Sequence, residues 1–443
     1  MGRFATGSSA KEFRNWAGNQ VCLPAQQHRP NSAASVSAIV ARAQLNGETV
    51  KAVGSGHSFT AAACTSGHMV ALDRLNAIES IDHENHRVTV QAGITLAVLN
   101  EQLAAVGLAM PNLGDIAYQT VAGAISTATH GTGLLLGNVA TAVVGMEIVD
   151  GNGDIRWCDE HTDPELLAVA RVGIGALGIV TKVTLQCVPE FNLHVRESVE
   201  DLDDLLDGFA EHAAGNDHFE FFWVPGTEKA MVKRNNRTQR VAEPESKAAY
   251  FFNKILMENV AFGGIARVAR RWPSTVPTIA SSLASLAGDR EVVDRSDRVF
   301  ASPRLVKFCE MEYGIPIEAL PEAFRRVRSF AAELGEPILF PIECRVSAAD
   351  DIPLSTAQGR TSAWIAVHRY QGIDYANYFQ GVEAIMKDYD GRPHWGKLHF
   401  QNAASLAPLY PEWDRFMEAR AKIDPSGVFA NPYTDRVLGC EGI

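Results

Sequence analysis

No apolar run in this 443-residue chain comes near the roughly 18 residues that a membrane-spanning helix needs. The N-terminus, Met1 to Asn19, carries Arg3, Lys11 and Arg14 with no apolar stretch behind them, so it does not read as a secretory signal. Cysteine is scarce. Cys22, Cys64, Cys158, Cys187, Cys309, Cys344 and Cys440 are odd in number, scattered and never spaced C-x-x-C, which speaks against a disulfide framework or a zinc knuckle. Basic charge is short as well: 40 Lys and Arg stand against 52 Asp and Glu, a net charge of -12. The basic surface that a nucleic-acid backbone demands is missing. Internal repeats and low-complexity tracts are absent. What remains is 46% apolar and 21% charged, enough to bury a sizeable core. A soluble, cytoplasmic protein of about three folding units, or two large ones, is expected.

The first half alternates short strands with helices. Ser32 to Leu45 has helical spacing, and Thr49 to Val53 reads as a strand entering a glycine turn. Arg87 to Gly93 alternates as a half-buried strand, and Leu96 to Val106 reads as a helix ending near Gly107. Val143 to Val149 and Ile155 to Cys158 flank Asp150-Gly-Asn-Gly-Asp154, a hairpin pattern. Pro164 to Val172 reads as a helix and Ile179 to Val188 as a strong strand. After about residue 190 the texture changes. Helices become charged (Val199 to Ala214, Pro321 to Leu334), His218 to Val224 is an aromatic strand, and Ile338 to Ile342 is strand-like. Ala261 to Trp272 is a basic, partly apolar helix, and Gly288 to Arg298 reads as a charged linker. Trp413 to Ile423 is helical again. The second unit should run from about 190 to about 405.

Five segments could carry chemistry. Val53-Gly54-Ser55-Gly56-His57-Ser58-Phe59 follows a strand, and its glycines permit either a tight structural turn or an anion nest of successive N–H groups. Gly173-Ile-Gly175-Ala-Leu-Gly178 matches G-x-G-x-x-G letter for letter, yet here a helix precedes and a strand follows. That is the reverse of the dinucleotide fingerprint. Gly123 to Gly133 is almost all small residues, with hydroxyls at Ser126, Thr127, Thr129 and Thr132 and an imidazole at His130. It can be a packing seam or room for a large planar ligand. Glu343-Cys344-Arg345 places Glu343 and Arg345 on one strand face, a pattern that is usually a surface ion pair. His394-Trp395-Gly396-Lys397 would, taken alone, be structural or solvated. Metal ligation by His83 with His86, or His394 with His399, lacks supporting cysteines or a helical frame, and no metal is expected.

Taken in order, these segments resemble the flavin-dependent oxidases of the vanillyl-alcohol oxidase type. Within that group the chain is most similar to the sugar-1,4-lactone oxidases, with the alditol oxidases as cousins. The resemblance runs from Asn15-Trp-Ala-Gly18 to Val437. It rests on Val53 to Phe59, Pro111-Asn-Leu-Gly-Asp115, Thr127 to Gly133, Gly175 to Val180, Glu343-Cys-Arg345, His394 to Lys397 and Asp424-Pro-Ser-Gly427. The resemblance implies a two-domain α+β fold. Residues 11–190, completed by a C-terminal return over 405–443, would form the FAD-binding domain. Residues 191–404 would form a cap with an antiparallel sheet and helices.

The same resemblance implies site roles. FAD would be bonded covalently through His57, with Val53, Gly54, Ser55, Gly56, Ser58 and Phe59 around its pyrophosphate. Gly114, Asp115, Thr120, Gly123, Thr127, Thr129, His130, Gly131, Ile179, Val180, His394 and Lys397 would line the cofactor. Glu343, Arg345 and Lys397 would be catalytic. The implied reaction oxidises the C2 hydroxyl of an L-gulono-, L-galactono- or D-arabinono-1,4-lactone by hydride transfer to the flavin. Arg345 would be the fixed cation for the reduced flavin's charge, and Lys397 would hold the substrate oxygen or help remove its proton. Gly114, which lacks a Cβ, points to molecular oxygen as acceptor. A dehydrogenase passing electrons to a cytochrome or quinone-like acceptor, an alditol oxidase and a non-catalytic sugar- or nucleotide-binding protein are the rivals. The basic helix 261–272 allows weak membrane-surface association.

Overall fold

The computed structural model describes residues 11–244, 288–301 and 306–439. The stretch 261–272, on which the membrane-surface reading rested, lies outside them. Among the described residues, no helix is long and apolar enough to cross a membrane.

Two sheets organise the first half. The helix Ala33–Leu45 starts where Ser32 accepts from the Ser35 N–H, and it buries Val36, Val40 and Ala43 at helical spacing. It leads to a three-stranded parallel sheet in the order Gln26–His28, His68–Ala71, Val50–Val53. Beside it lies a five-stranded antiparallel sheet ordered Ile155–Asp159, Val143–Val149, Ile179–Gln186, Arg87–Gln91, Ile78–Asp82. Its inward residues Val88, Val90, Met146, Ile148, Val183 and Leu185 share one core with Phe416, Tyr433 and Val437. The C-terminal helices Trp413–Ile423 and Pro432–Leu438 therefore pack on the N-terminal half, although some 200 residues separate them in sequence.

The intervening chain builds an eight-stranded sheet. Its order is Arg290–Arg295, Asn192–Asp201, Lys229–Thr238, His218–Trp223, Ile342–Ser347, Ser362–Tyr370, Phe308–Pro316 and Arg392–Pro393, every pair antiparallel. Strand alternation splits its side chains between two faces. Phe219, Phe221, Met311, Tyr313, Cys344, Val346, Ile365 and Val367 pack with Phe324 and Val327 of the helix Leu320–Glu333 and Phe379 and Val382 of the helix Ala376–Lys387. The opposite parity puts Glu220, Glu310, Glu312, Glu343, Arg345 and His368 on the other face, and these are buried too.

Three expected elements differ. Val199 to Asp201 is strand, because Asn192–Asp201 pairs along its whole length with Lys229–Thr238. Helix begins only where Asp201 caps Leu202, and it restarts at Phe209 after Gly208. The charged run 288–298 is the edge strand Arg290–Arg295 plus the short helix Ser296–Phe300. Its charges cross the edge, with Arg290 to Glu197 at 3.1 Å and His194 to Glu291 at 2.6 Å. Residues 338–341 are not strand. The strand is Ile342–Ser347, so Glu343 and Arg345 sit inside it rather than after it.

Candidate active site

A cavity of about 640 Å³ lies between the glycine-rich half and the charged face of the eight-stranded sheet. All seven residues of Val53 to Phe59 line it. Gly56 takes φ 70, a left-handed conformation that suits glycine. At Gly54 an added Cβ would run into Thr120 Oγ1. Thr120 in turn caps the helix Val121–Ser126 by accepting from the Gly123 N–H at 3.2 Å. The turn is fastened to a motif 338 positions beyond Ser58: the Phe59 N–H donates to Gly396 O at 2.8 Å, and Ser58 Oγ donates to the same oxygen at 3.2 Å. His57 stacks on Trp16, and its Nδ1 is buried with no hydrogen-bond partner. Burial also holds its pKa below the usual imidazole value.

Gly114, Asp115, Thr120, Gly123, Thr127, Thr129, His130, Val180, Glu343, Arg345, His394 and Lys397 all line the same cavity. Two expected members stand apart. Gly131 serves packing, since an added Cβ would strike Leu113 O. Ile179 is buried in the five-stranded sheet opposite Val149, and its neighbour Val180 reaches the cavity instead. Gly114 borders the cavity, but its missing Cβ has a local cause as well. An alanine methyl would sit 2.9 Å from His130 O and 3.2 Å from Thr129 Cγ2, so glycine lets two backbone segments meet.

The pair Glu343 and Arg345 is no surface ion pair, each being 6% exposed. Arg345 spends its donors on three carboxylates: Asp115 at 2.8 Å, Glu220 at 2.9 Å, and Glu343. Lys233 then reaches Glu220 at 3.1 Å. Burial pushes the Glu343 carboxyl above the usual range, only partly opposed by Arg345, and Asp115 and Glu220 add to the rise. Lys397 sits between Glu310 at 2.5 Å and Glu312 at 2.8 Å. Burial alone would push its ammonium down, yet Glu310, Glu312 and Glu343 hold it above the usual lysine value. It is a fixed cation.

His130 donates from Nδ1 to Gly131 O at 2.8 Å, meets Glu312 at 3.1 Å through Nε2, and stacks on Trp364. His394 accepts from the Gly396 N–H at Nδ1, so its own proton is on Nε2. Burial and Lys397 lower it to about 3, and it stays neutral across the working pH range. Two triads, His130–Glu312–His394 and Glu310–Glu343–His368, bring ligand-type atoms within 4.8 Å of one another. Lys397 already supplies the cation for both Glu310 and Glu312. Of the histidines weighed for metal, His399 meets Tyr433 at 3.2 Å.

Sequence reasoning missed Glu310, Glu312, Glu220, Lys233, His368 and Lys51. The alternation in Phe308-Cys-Glu-Met-Glu-Tyr313 was available as a signal, but it reads as a solvated face unless the opposite side of the sheet is known to be covered.

Residues 24–159 match the family described as FAD binding domain, and residues 183–437 match the one described as D-arabinono-1,4-lactone oxidase. The chain belongs to the FAD-binding aldonolactone oxidase family. It is 43% identical to an L-gulono-1,4-lactone dehydrogenase of Mycobacterium tuberculosis, over 96% of this chain and 99% of that one. It is 32% identical to the L-gulonolactone oxidase of Bos taurus, over 98% and 99%. Among solved structures, a cholesterol oxidase from Brevibacterium sterolicum superposes with a TM-score of 0.81 at 18% identity, covering 97% of each chain. That likeness shows the fold: two-domain α+β, of the vanillyl-alcohol oxidase type, with a large antiparallel cap sheet. The residues present fit FAD. The glycine turn leaves backbone N–H groups beside a cavity of suitable size, and His57, whose buried Nδ1 has no partner, is among the residues that line it.

Proposed function

We propose that this protein oxidises the C2 hydroxyl of an aldono-1,4-lactone, of the L-gulono, L-galactono or D-arabinono type, to the 2-keto lactone. FAD, when bound, supplies the hydride acceptor. The observation that carries the reading is Lys397, clamped as an ammonium by Glu310 and Glu312 in the cavity that also holds His57, Glu343 and Arg345. A lysine held protonated donates hydrogen bonds and does not abstract protons, so Lys397 holds the substrate oxygen. Glu343, whose raised pKa lets it exchange a proton near neutrality, takes the hydroxyl proton. Arg345 orients Glu343 and sets a fixed positive charge against negative charge developing during the reaction. His394 offers an Nε2–H donor.

We assign residues 11–190 with 405–443 to the FAD-binding domain and 191–404 to the substrate-facing cap. His57 is the proposed point of covalent attachment, supported by its partnerless nitrogen. The acceptor is molecular oxygen or another electron carrier. The missing methyl at Gly114 supports oxygen less directly than it did from sequence, since backbone packing already requires glycine there.

The test is a visible spectrum of the purified protein, followed by anaerobic mixing with each of the three lactones. Bleaching of the flavin band by at least one lactone is expected, and a yellow protein that none of them bleaches would overturn the reading. Stopped-flow reoxidation in aerated buffer, compared with turnover on an artificial acceptor, then decides between oxidase and dehydrogenase.

A further inference from the structure

Lys51 is 1% exposed, on the strand Val50–Val53 that feeds the glycine turn. Its Nζ donates to Gly175 O and to Phe429 O, each at 2.9 Å. An ammonium carries three N–H groups, so one is left over, and the residue lines the same cavity. Among the described residues no carboxylate forms an ion pair with it. Arg420 opposes its charge, and Asp424 and Asp435 favour it. Burial dominates, pushing the ammonium down to about 7. A buried cation satisfied only by neutral carbonyls is expensive, and a methionine would fill an apolar slot at less cost.

Its neighbours give it a place. Gly175, with φ 65, belongs to the Gly173–Gly178 run, whose members Gly175 and Gly178 also border the cavity. Phe429 closes the segment in which Asp424 accepts from the Val428 and Phe429 N–H groups at 2.8 and 2.9 Å. Lys51 thus joins the strand before the turn, the glycine run and the C-terminal return.

We propose that Lys51 is a cofactor-binding cation that recognises the phosphate-bearing ADP half of the flavin nucleotide, through the N–H that the two carbonyls leave over. The inference rests on reading the cavity as the FAD site. It accounts for a charge that a purely structural tether would not need, and it adds a side-chain charge to a nest otherwise built from backbone.

The test uses His57→Ala protein, whose flavin exchanges freely, with and without Lys51→Met. Affinities for FAD, ADP and riboflavin are measured by calorimetry, and melting is followed without ligand. Loss of a charge-assisted contact should weaken FAD and ADP roughly tenfold or more. Riboflavin, which lacks the diphosphate, should change little, and any fall in ligand-free melting reports separately the loss of the two carbonyl contacts. Equal weakening of riboflavin and FAD, or unchanged ADP binding, would reduce Lys51 to a tether and overturn the proposal. Should Lys51→Met fail to fold, Lys51→Gln keeps donors without charge and must show the same FAD and ADP loss. A parent protein that is colourless and binds no FAD would instead sink the cofactor reading itself.

Discussion

Replacing Lys397 by methionine keeps the apolar stem and removes the ammonium that Glu310 and Glu312 share. Both carboxylates are buried. Burial pushes each up, but Lys397 leads the influences that hold them below the ordinary carboxylate range. After the substitution Glu310 keeps His368 at 3.3 Å and Glu312 keeps His130 at 3.1 Å. Breaking a buried pair costs about 3–5 kcal/mol. Since a histidine remains on each carboxylate, the deficit should stay within that range rather than double it. Its pH dependence follows from the direction of the shifts. In the parent protein the depressed carboxylates contribute stability that is present above their ordinary value of 4.5 and lost as pH falls below it. In the variant their pKa values rise, so they take up protons at higher pH and shed the burden of an unpaired buried charge. The deficit should therefore be full at about pH 8 and shrink towards about pH 5. Scanning calorimetry at both pH values measures it, and Lys397→Met with Glu310→Gln should regain part of the stability while turnover stays lost. A deficit equal at the two pH values, or none, would refute the assignment of Lys397 as the neutralising cation.

His57→Ala should abolish flavin fluorescence that travels with the polypeptide on a denaturing gel, while FAD still binds reversibly through the backbone nest. If acid precipitation releases all flavin from the parent protein, the covalent assignment is wrong. Arg345→Ala should lower the anaerobic rate of flavin reduction by roughly 10²-fold or more, and an unchanged rate would remove Arg345 from the mechanism. Glu343→Gln should flatten a rate that in the parent rises with pH as Glu343 ionises above the ordinary carboxylate range; a parent profile without that rise would contradict Glu343 as proton acceptor. Gly114→Ala should lower the melting temperature and perturb the flavin spectrum, because its methyl meets His130 O. Altered reoxidation with normal stability would show instead that Gly114 acts only as a gate.

The two halves of the site differed in how legible they were. The glycine turn, the small-residue run and the order of motifs carry local chemistry, because backbone close to a ligand needs glycine wherever it stands. Helix and strand order likewise showed that Gly173 to Gly178 was no dinucleotide fingerprint, and the helix Pro164–Ala170 before the strand Ile179–Gln186 agrees. The acidic half was opaque for a topological reason. Glu310, Glu312 and Glu220 alternate with apolar residues just as a solvent-facing edge would. Only the closing of the eight-stranded sheet over the cavity turns that polar face inward and leaves each carboxylate in need of a cation. The error over Val199 to Asp201 has the same root: pairing with Lys229–Thr238, distant in sequence, outweighed a locally helical pattern. A charge whose partner lies on another strand has no local signature. Lys397 reads as a solvated lysine from its neighbours and becomes a fixed cation only when the strand Phe308–Pro316 supplies Glu310 and Glu312, 85 or more positions earlier in the chain.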